Sequence, residues 1–435
     1  MGACYNIMGH FATIANVRHR EWMPKMAFFH LLSATGGLPR ALQLLLEDFF
    51  GRRPDKCDTF PGTMVDIDIN LDHIFRRVAS NLDHYYSITA FASTHQELAR
   101  ALVRLCIFQQ PSSRTLAPSD QFPDLTLDVL ERDTHTILEE NDKAPGEVFV
   151  RIPFFFLHIY NVVVGEVRNR LASAFLHDWV KDREWKFFEW MVAEYEVLRT
   201  NLLIDAGRES ATLRDIYQGA IGRSETLDRI VKLKKLSVVE ADHRFPTSGR
   251  LTVKGQEHNW RSGLVIKNAD GTEFGDVCVY REDADGNNII CSLQTKKLKD
   301  VLSATTLQKE HNKNIESIKK LPNGSILEQD GIKRAHTITV LITTADFTDH
   351  AAQQLGKSFP PDCLLIYREN FTRFFGYTFS ILAALAASKD LSWNFATRET
   401  LKKRKLGDEE VDQILENMPY RSYEDLIQKN PKDRL

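Results

Sequence analysis

The sequence predicts a mostly α-helical N-terminal region followed by an α/β domain in which helices flank a mixed central sheet. Three observations support this class. Apolar residues recur at three- and four-residue spacing in the first third of the chain, several β-like runs follow residue 206, and helices separate those runs. With 435 residues, of which 43% are apolar, the chain is long enough for two or three domains with cores of their own.

Composition excludes several classes of protein. No run of roughly eighteen uncharged apolar residues occurs, so a membrane-spanning helix is not expected. The N-terminus lacks the basic start and cleavage site of a secretory signal, and Asn6 stands where a myristoylated Gly2 would want a hydroxyl residue. The six cysteines have no metal-binding spacing, which indicates an intracellular, reducing compartment and argues against structural zinc. Because the net charge is only -3, nucleic-acid affinity requires local basic clusters.

The first predicted domain, residues 1–110, is a helical unit. Helical periodicity is clear in residues 40–50 and 95–108, and the Gly- and Pro-containing segment Thr35–Pro39 interrupts it. A stretch rich in Pro, Ser and Asp, residues 110–123, then leads into the next region as a connector.

Residues 111–205 are predicted to form a mainly helical linking region. The run EVFVRIPFFF, residues 147–156, is predicted to be a buried strand before another helix. An amphipathic helix with a stripe of aromatic residues is expected from about His177 to Ile204, packed between domains. We interpret this stripe as core, because aromatic residues at helical spacing usually pack inside.

Residues 206–390 are predicted to form the α/β domain. Its expected elements are a helical stretch near 213–236, three β-like runs, a polar helix near 305–320, β-like runs at 338–345 and 363–370, and an apolar helix at 371–388. The charged tail, residues 391–435, is predicted to be helical. We interpret it as a solvated appendage, with a helical hairpin that touches a DNA backbone as the alternative.

The most informative segment is FGDVCVYREDADGNNIICSLQTKK, residues 274–297. Turn-forming residues between two β-like runs predict a hairpin centred near Asp285. Asp276 and Gln294 are each nine residues from this centre, so they lie opposite each other, and such cross-strand neighbours are roughly 5 Å apart. Side-chain alternation places Lys296 on the same face. Three polar side chains are therefore predicted to converge at one end of the hairpin.

These residue types suit phosphodiester hydrolysis. Carboxylate and amide oxygens can hold Mg²⁺ or Mn²⁺, and a neighbouring ammonium can orient the attacking water and offset transition-state charge. The predicted metal ligands are Asp276, Gln294 and Glu225, with Asp228 as the alternative to Glu225, and Lys296 completes the catalytic set. The structural alternative is that Asp276 merely begins a strand. Polar residues placed directly after the apolar run IICSL favour the functional interpretation.

The order of elements resembles the PD-(D/E)XK nuclease superfamily, whose fold is restriction-endonuclease-like, with Gln294 at the position of the usual acid. Four segments, residues 185–203, 237–246, 274–297 and 362–380, together resemble the Crinkler effectors and the related retrotransposon hot spot (RHS) proteins. The resemblance implies a Mg²⁺-dependent endonuclease located in the nucleus, with DNA as its substrate and RNA as the alternative.

In that family a P-loop NTPase module usually precedes the nuclease domain. LLSATGGLPRALQLLLE, residues 31–47, resembles the end of such a module, which would place Arg40 near a nucleotide phosphate. The sequence contains no G-x-x-x-x-G-K-[ST], so ATP hydrolysis by that mechanism is not expected. Without the family, TGGLPRAL is a glycine-and-proline turn at the start of a helix, and this is the interpretation we favour.

Basic residues near the predicted site are expected to neutralise nucleic-acid phosphates, and they are Lys297, Lys299, Lys309 and Lys313. A solvated helix face is the alternative. Two main functions stay open: a metal-dependent nuclease, and a catalytically degenerate module that binds nucleic acid or protein on the same scaffold. An NTP-dependent switch would need the missing phosphate loop. A homodimer or a separate NTPase subunit is a further candidate partner, and no membrane contact is expected.

Overall fold

The computed structural model describes residues 31–50, 67–164, 184–296, 304–343, 359–387 and 407–416. Within these ranges the chain is mixed α/β, as predicted, with helices around a curled mixed sheet. Lys297 and Lys299 lie outside the described residues, as does most of the predicted tail.

The elements are numbered in chain order. The α-helices of the described residues are α1 (Pro39–Phe50), α2 (Ile67–Tyr86), α3 (Ile88–Thr94), α4 (Gln96–Phe108), α5 (Leu127–Arg132), α6 (Phe154–Val164), α7 (Glu184–Asp205), α8 (Leu213–Ile216), α9 (Ser224–Leu227), α10 (Ala304–Lys319), α11 (Ile326–Gln329), α12 (Phe371–Ala387) and α13 (Asp408–Glu416). The strands are β1 (Ser112–Ser113), β2 (Ile137–Glu140), β3 (Glu147–Arg151), β4 (Ser210–Thr212), β5 (Ile221–Gly222), β6 (Ile230–Lys232), β7 (Ser237–Glu240), β8 (Thr252–Val253), β9 (Gln256–Glu257), β10 (Leu264–Lys267), β11 (Val277–Asp283), β12 (Asn288–Lys296), β13 (His336–Thr343) and β14 (Cys363–Ile366). Short 3₁₀ turns occur at Ile332–Arg334 and Arg368–Asn370.

A nine-stranded mixed sheet positions the predicted site. Its order is β4-β6-β11-β12-β13-β14-β5, and β10 pairs with β11 and with β7. β11 and β12 form an antiparallel hairpin, whereas β12, β13 and β14 run parallel. The carboxyl ends of three neighbouring strands therefore meet the beginning of β11 at one rim of the sheet. β1, β2 and β3 form a separate three-stranded sheet, and β8 pairs with β9.

The two faces of the hairpin pack into different apolar cores. Val279 and Leu293 belong to the larger core, which also contains side chains of α1 to α7 and of α12. Cys278 and Ile290 belong to a second core with Trp260 and the end of α10. Because side chains alternate along each strand, one hairpin contributes to both cores.

Two buried cations fix α7 to its neighbours: Arg199 connects it to α8 and α12, and Arg281 connects it to the sheet. Arg199 donates hydrogen bonds of 2.7–2.9 Å to backbone carbonyls of residues 215–216 and of Phe374. Arg281 of β11 pairs with Glu196 of α7, and both side chains are almost inaccessible to solvent. The described part of this helix begins at Glu184, so the earlier residues of the predicted helix lie outside the described ranges.

The prediction of a continuous helix near residues 213–236 is wrong. The chain instead forms α8, β5, α9 and β6. Gly219 breaks the helical pattern with a φ of 83°, and Gly222 lies so close to β14 that a Cβ would come within 2.5 Å of Leu364. In sequence, the apolar spacing of these short helices and strands resembles that of one long helix. The pairing of β5 with β14 favours the broken arrangement.

Other predicted elements are confirmed. The strand predicted at 147–156 is confirmed over Glu147–Arg151 as β3, whereas its last residues, from Phe154, begin α6. The polar helix predicted at 305–320 is α10. The two later β-like runs are β13 and β14, and the apolar helix is α12. The predicted domain divisions at 110, 205 and 390 stay predictions, although the larger core runs from Leu31 to Ala383 without a break.

The segment TGGLPRAL forms the glycine-and-proline turn that we favoured. Gly36 and Gly37 have φ angles of 58° and 81°, and α1 begins at Pro39. Proline suits this first helical position because its missing N–H would have no partner there. Arg40 stacks over the ring of Tyr85.

Among the described residues, no helix combines the length and apolar character that crossing a bilayer demands.

Candidate active site

The predicted constellation lies at the rim of the sheet, at the open end of the hairpin and away from its turn. β11 and β12 pair in the predicted register, with Val277 opposite Leu293 and Glu282 opposite Asn288. Asp276, directly before β11, is therefore level with Gln294.

Three local contacts hold this end of β11 in place. The Asn268 amide N–H donates to the backbone carbonyl of Asp276 at 2.8 Å, and the Asn268 side chain donates to the Gly275 carbonyl at 3.1 Å. The Gly275 N–H donates to the hydroxyl of Ser292 at 3.0 Å, and a Cβ at this glycine would overlap that hydroxyl. The backbone that carries Asp276 is thus held by Asn268 on one side and by Ser292 of β12 on the other.

The Asp276 carboxylate accepts three hydrogen bonds on one oxygen. Gln294 Nε2 donates to Oδ2 at 2.7 Å, as does the Thr295 N–H, and the Thr295 hydroxyl donates at 2.8 Å. No described residue donates to Oδ1. The carboxylate is oriented by β12 while one of its oxygens stays available to a ligand.

Burial raises the pKa of Asp276 above its ordinary value. The hydrogen bonds from Thr295 and the charge of Lys296 act in the opposite direction, and the negative charge of Glu310 adds to the increase. The anion is therefore less stable here than in water, so a bound cation would relieve an unfavourable charge.

Gln294 connects Asp276 to a polar groove. Its side chain is 6% exposed, and because a carboxylate can only accept, the amide must present Nε2 to Asp276. No described residue donates to the remaining Oε1. Gln294 lines a groove of about 850 Å³ between the sheet rim and α10, together with Thr272, Glu273, Lys296, Thr305, Gln308, Lys309, Glu310, Asn312, Lys313, Glu316 and Lys320.

The Lys296 ammonium faces a residue that the sequence analysis missed. Nζ lies 3.6 Å from Oε2 of Glu310 on α10, and Lys313 Nζ lies 3.0 Å from Oε1 of the same carboxylate. Glu310 is 7% exposed, which is unusual for an acid in a helix so rich in polar residues. No sequence pattern marks Glu310, because the neighbouring lysines make it resemble part of a solvated face.

The structure does not bring Glu225 to this site. Glu225 is exposed on α9, which follows β5 at the far edge of β14. β5 is four strands from β11 in the sheet order, so at about 4.8 Å per strand roughly 19 Å of sheet separates Asp276 from the strand that precedes Glu225. The alternative residue, Asp228, pairs with Arg214 at 2.8 Å on the same side.

The predicted phosphate-binding lysines differ in how their charge is used. Lys309 is exposed and forms no ion pair with any described residue, whereas Lys313 contacts both oxygens of Glu310. At the other end of the groove Lys320 pairs with Glu273 at 2.8 Å. Much of the groove's positive charge is thus already neutralised by acids.

The oxygen atoms present fit one hard divalent cation. Asp276 Oδ1 and Gln294 Oε1 are oxygens to which no described residue donates, and Mg²⁺ is often held by one or two carboxylates with waters and substrate phosphates. Among the described residues, no group of three or more His, Cys, Asp or Glu side chains is arranged to hold a metal. Any ion here would therefore depend on water and substrate for most of its ligands.

Comparisons with known proteins give no match: no family model, no curated protein and no solved structure is similar to this chain.

Proposed function

We propose that this chain is a Mg²⁺- or Mn²⁺-dependent nuclease that hydrolyses phosphodiester bonds of DNA. The observation that supports it most is the meeting of Asp276, Gln294 and Lys296 beside an open polar groove. The fold of residues 206–390 is then restriction-endonuclease-like. The Crinkler and RHS assignment, and the nuclear location with it, depends on the sequence segments alone.

The residues divide the chemistry between them. Asp276 Oδ1 and Gln294 Oε1 would hold the metal ion, which when bound polarises a phosphoryl oxygen and acidifies a water. The Lys296 ammonium reaches the same groove and offsets the negative charge that develops on the phosphate. The hydroxyl of Thr305 and the amides of Gln308 and Asn312 line the groove, where they would contact phosphate oxygens of the DNA backbone and not its bases.

Cleavage assays with the purified full chain test this function. Supercoiled, linear and single-stranded DNA, and RNA, are incubated with Mg²⁺ or Mn²⁺, and Asp276→Ala and Lys296→Ala are compared with the parent. We expect each variant to lose at least about 100-fold in rate. Lys232→Ala is the matched control, because Lys232 pairs with Glu282 at the opposite end of the hairpin. Absence of cleavage, or equal cleavage by both variants, contradicts the proposal.

A binding module without catalysis is the second candidate. It is favoured by the amide at position 294, which removes a charge from the metal site. Calorimetry separates the two functions. Retained DNA or protein binding without uptake of Mg²⁺ or Mn²⁺ would support the module, whereas metal binding that Asp276→Ala abolishes would support the enzyme.

A further inference from the structure

Glu310 is the one buried acid of α10 that reaches the rim of the sheet, among the described residues. Its carboxylate lies between two ammonium groups, with Lys313 at 3.0 and 3.3 Å and Lys296 at 3.6 Å. Burying a carboxylate is costly unless it is paired, and the two ammonium groups provide that pairing. The cluster alternates in sign from Asp276 through Lys296 and Glu310 to Lys313.

Lys296 needs such a partner. It stands at the last position of β12, and its flexible stem leaves the ammonium free to occupy many positions. Glu310 is the acid with which it forms an ion pair, and at 3.6 Å the pair is looser than a hydrogen bond. The lysine is therefore held near the groove while its N–H groups stay available to a phosphate.

The helix turn that carries Glu310 is held against the sheet by its neighbours on α10. His311 Nδ1 lies 3.0 Å from the Thr339 hydroxyl, and the Asn314 amide donates to that hydroxyl at 2.9 Å. Thr339 lies on β13, directly beside Ser292 of β12. The helix turn that carries Glu310 is thus tied to the strand next to the one that carries Lys296.

We propose that Glu310 is a positioning residue that holds the Lys296 ammonium at the site, a role that depends on the proposed function. A ligand role for Glu310 fits less well, because both of its oxygens contact Lys313 and one also faces Lys296. Lys313 is accordingly engaged by Glu310 and contributes little to phosphate binding.

A double-mutant cycle on cleavage tests the positioning role. Glu310→Gln keeps the size of the side chain, and we expect kcat to fall about 10- to 100-fold with little change in KM. Lys296→Met should cost more, about 100-fold or above. If Glu310 acts through Lys296, adding Glu310→Gln to Lys296→Met changes kcat by less than about twofold. Glu310→Asp should recover part of the loss.

The controls distinguish the outcomes. Glu282→Gln breaks a lysine–glutamate pair at the far end of the same hairpin and should leave kcat unchanged. Multiplicative losses in the cycle, or loss of Mn²⁺ binding by Glu310→Gln in calorimetry, would overturn the positioning role and make Glu310 an independent ligand. An inactive parent protein would instead refute the proposed nuclease function.

Discussion

The hairpin β11–β12 carries two charged clusters that differ in whether a ligand can reach them. Arg281 points into the larger core and pairs with Glu196, and Tyr217 donates to the same carboxylate at 3.2 Å. Asp276 stands at the rim, half-buried, with one oxygen that no described residue satisfies. The first cluster is closed to any ligand, whereas the second adjoins a groove.

This difference shows why burial alone does not identify a functional charge. Arg281 and Glu196 pair with each other out of reach of solvent, and their chief effect is to hold α7 against the sheet. The charge of Asp276 is oriented but incompletely neutralised, which is the condition in which a bound cation lowers the free energy. Four predictions follow from this contrast, and they test it from the largest effect to the smallest.

Arg281→Met should destabilise the protein by about 3–5 kcal/mol, because it leaves the Glu196 carboxylate buried without a cation. Denaturant unfolding monitored by circular dichroism measures the loss. The double variant Glu196→Leu with Arg281→Met should recover most of it, since removing both charges of a buried pair is often nearly neutral. If Arg281→Met were as stable as the parent, the ion pair with Glu196 would not be a structural contact that holds α7 in place.

Lys296→Met should have the opposite effect: little change in stability and a large loss of cleavage rate. Its side chain is 31% exposed and its ion pair is loose, so the free energy of unfolding should change by less than about 1 kcal/mol. The cleavage rate should nevertheless fall by about 100-fold or more. Parallel unfolding and rate measurements decide the matter: a loss of stability comparable to that of Arg281→Met would make Lys296 a structural residue.

The sequence predicted the second cluster better than the first. Turn residues around Asp285 and strict alternation fix the hairpin register, so Asp276 and Gln294 were correctly placed opposite each other. Sequence could not place Glu310, because its approach to Lys296 depends on how α10 crosses the sheet. Glu225 was misleading for a related reason. Its distance from Asp276 is set by strand order, which local patterns do not determine.

Asp276→Asn should raise the Tm slightly at neutral pH. The corresponding gain in the free energy of unfolding should be less than about 1 kcal/mol. The pKa of Asp276 is raised by folding, so the folded parent is favoured by protonation below about pH 3.9 and loses that advantage as pH rises through the higher folded pKa. The asparagine variant does not titrate. Its advantage in Tm should therefore grow from pH 4 toward neutrality and then level off.

Mg²⁺ provides the control for that pH series. The ion should raise the Tm of the parent at pH 7.5, because binding to the folded carboxylate stabilises it by mass action, and should have no effect on Asp276→Asn. A variant that loses stability at neutral pH, or that responds to Mg²⁺ as the parent does, would mean that the rim carboxylate is structural like Glu196.

Lys309→Ala should have the smallest effect, which is a change in the salt dependence of DNA binding. Comparing it with Lys313→Ala distinguishes an unpaired lysine of the groove from one that is paired with an acid. Each lysine that contacts a phosphate contributes about one to the slope of log affinity against log salt concentration. Lys309 has no acidic partner among the described residues, so its removal should reduce the slope of DNA binding by about one. Lys313→Ala should reduce it less, because Glu310 already holds that ammonium at 3.0 Å. Fluorescence anisotropy across a salt series measures both slopes, and equal reductions would show that Lys313 leaves Glu310 to bind phosphate.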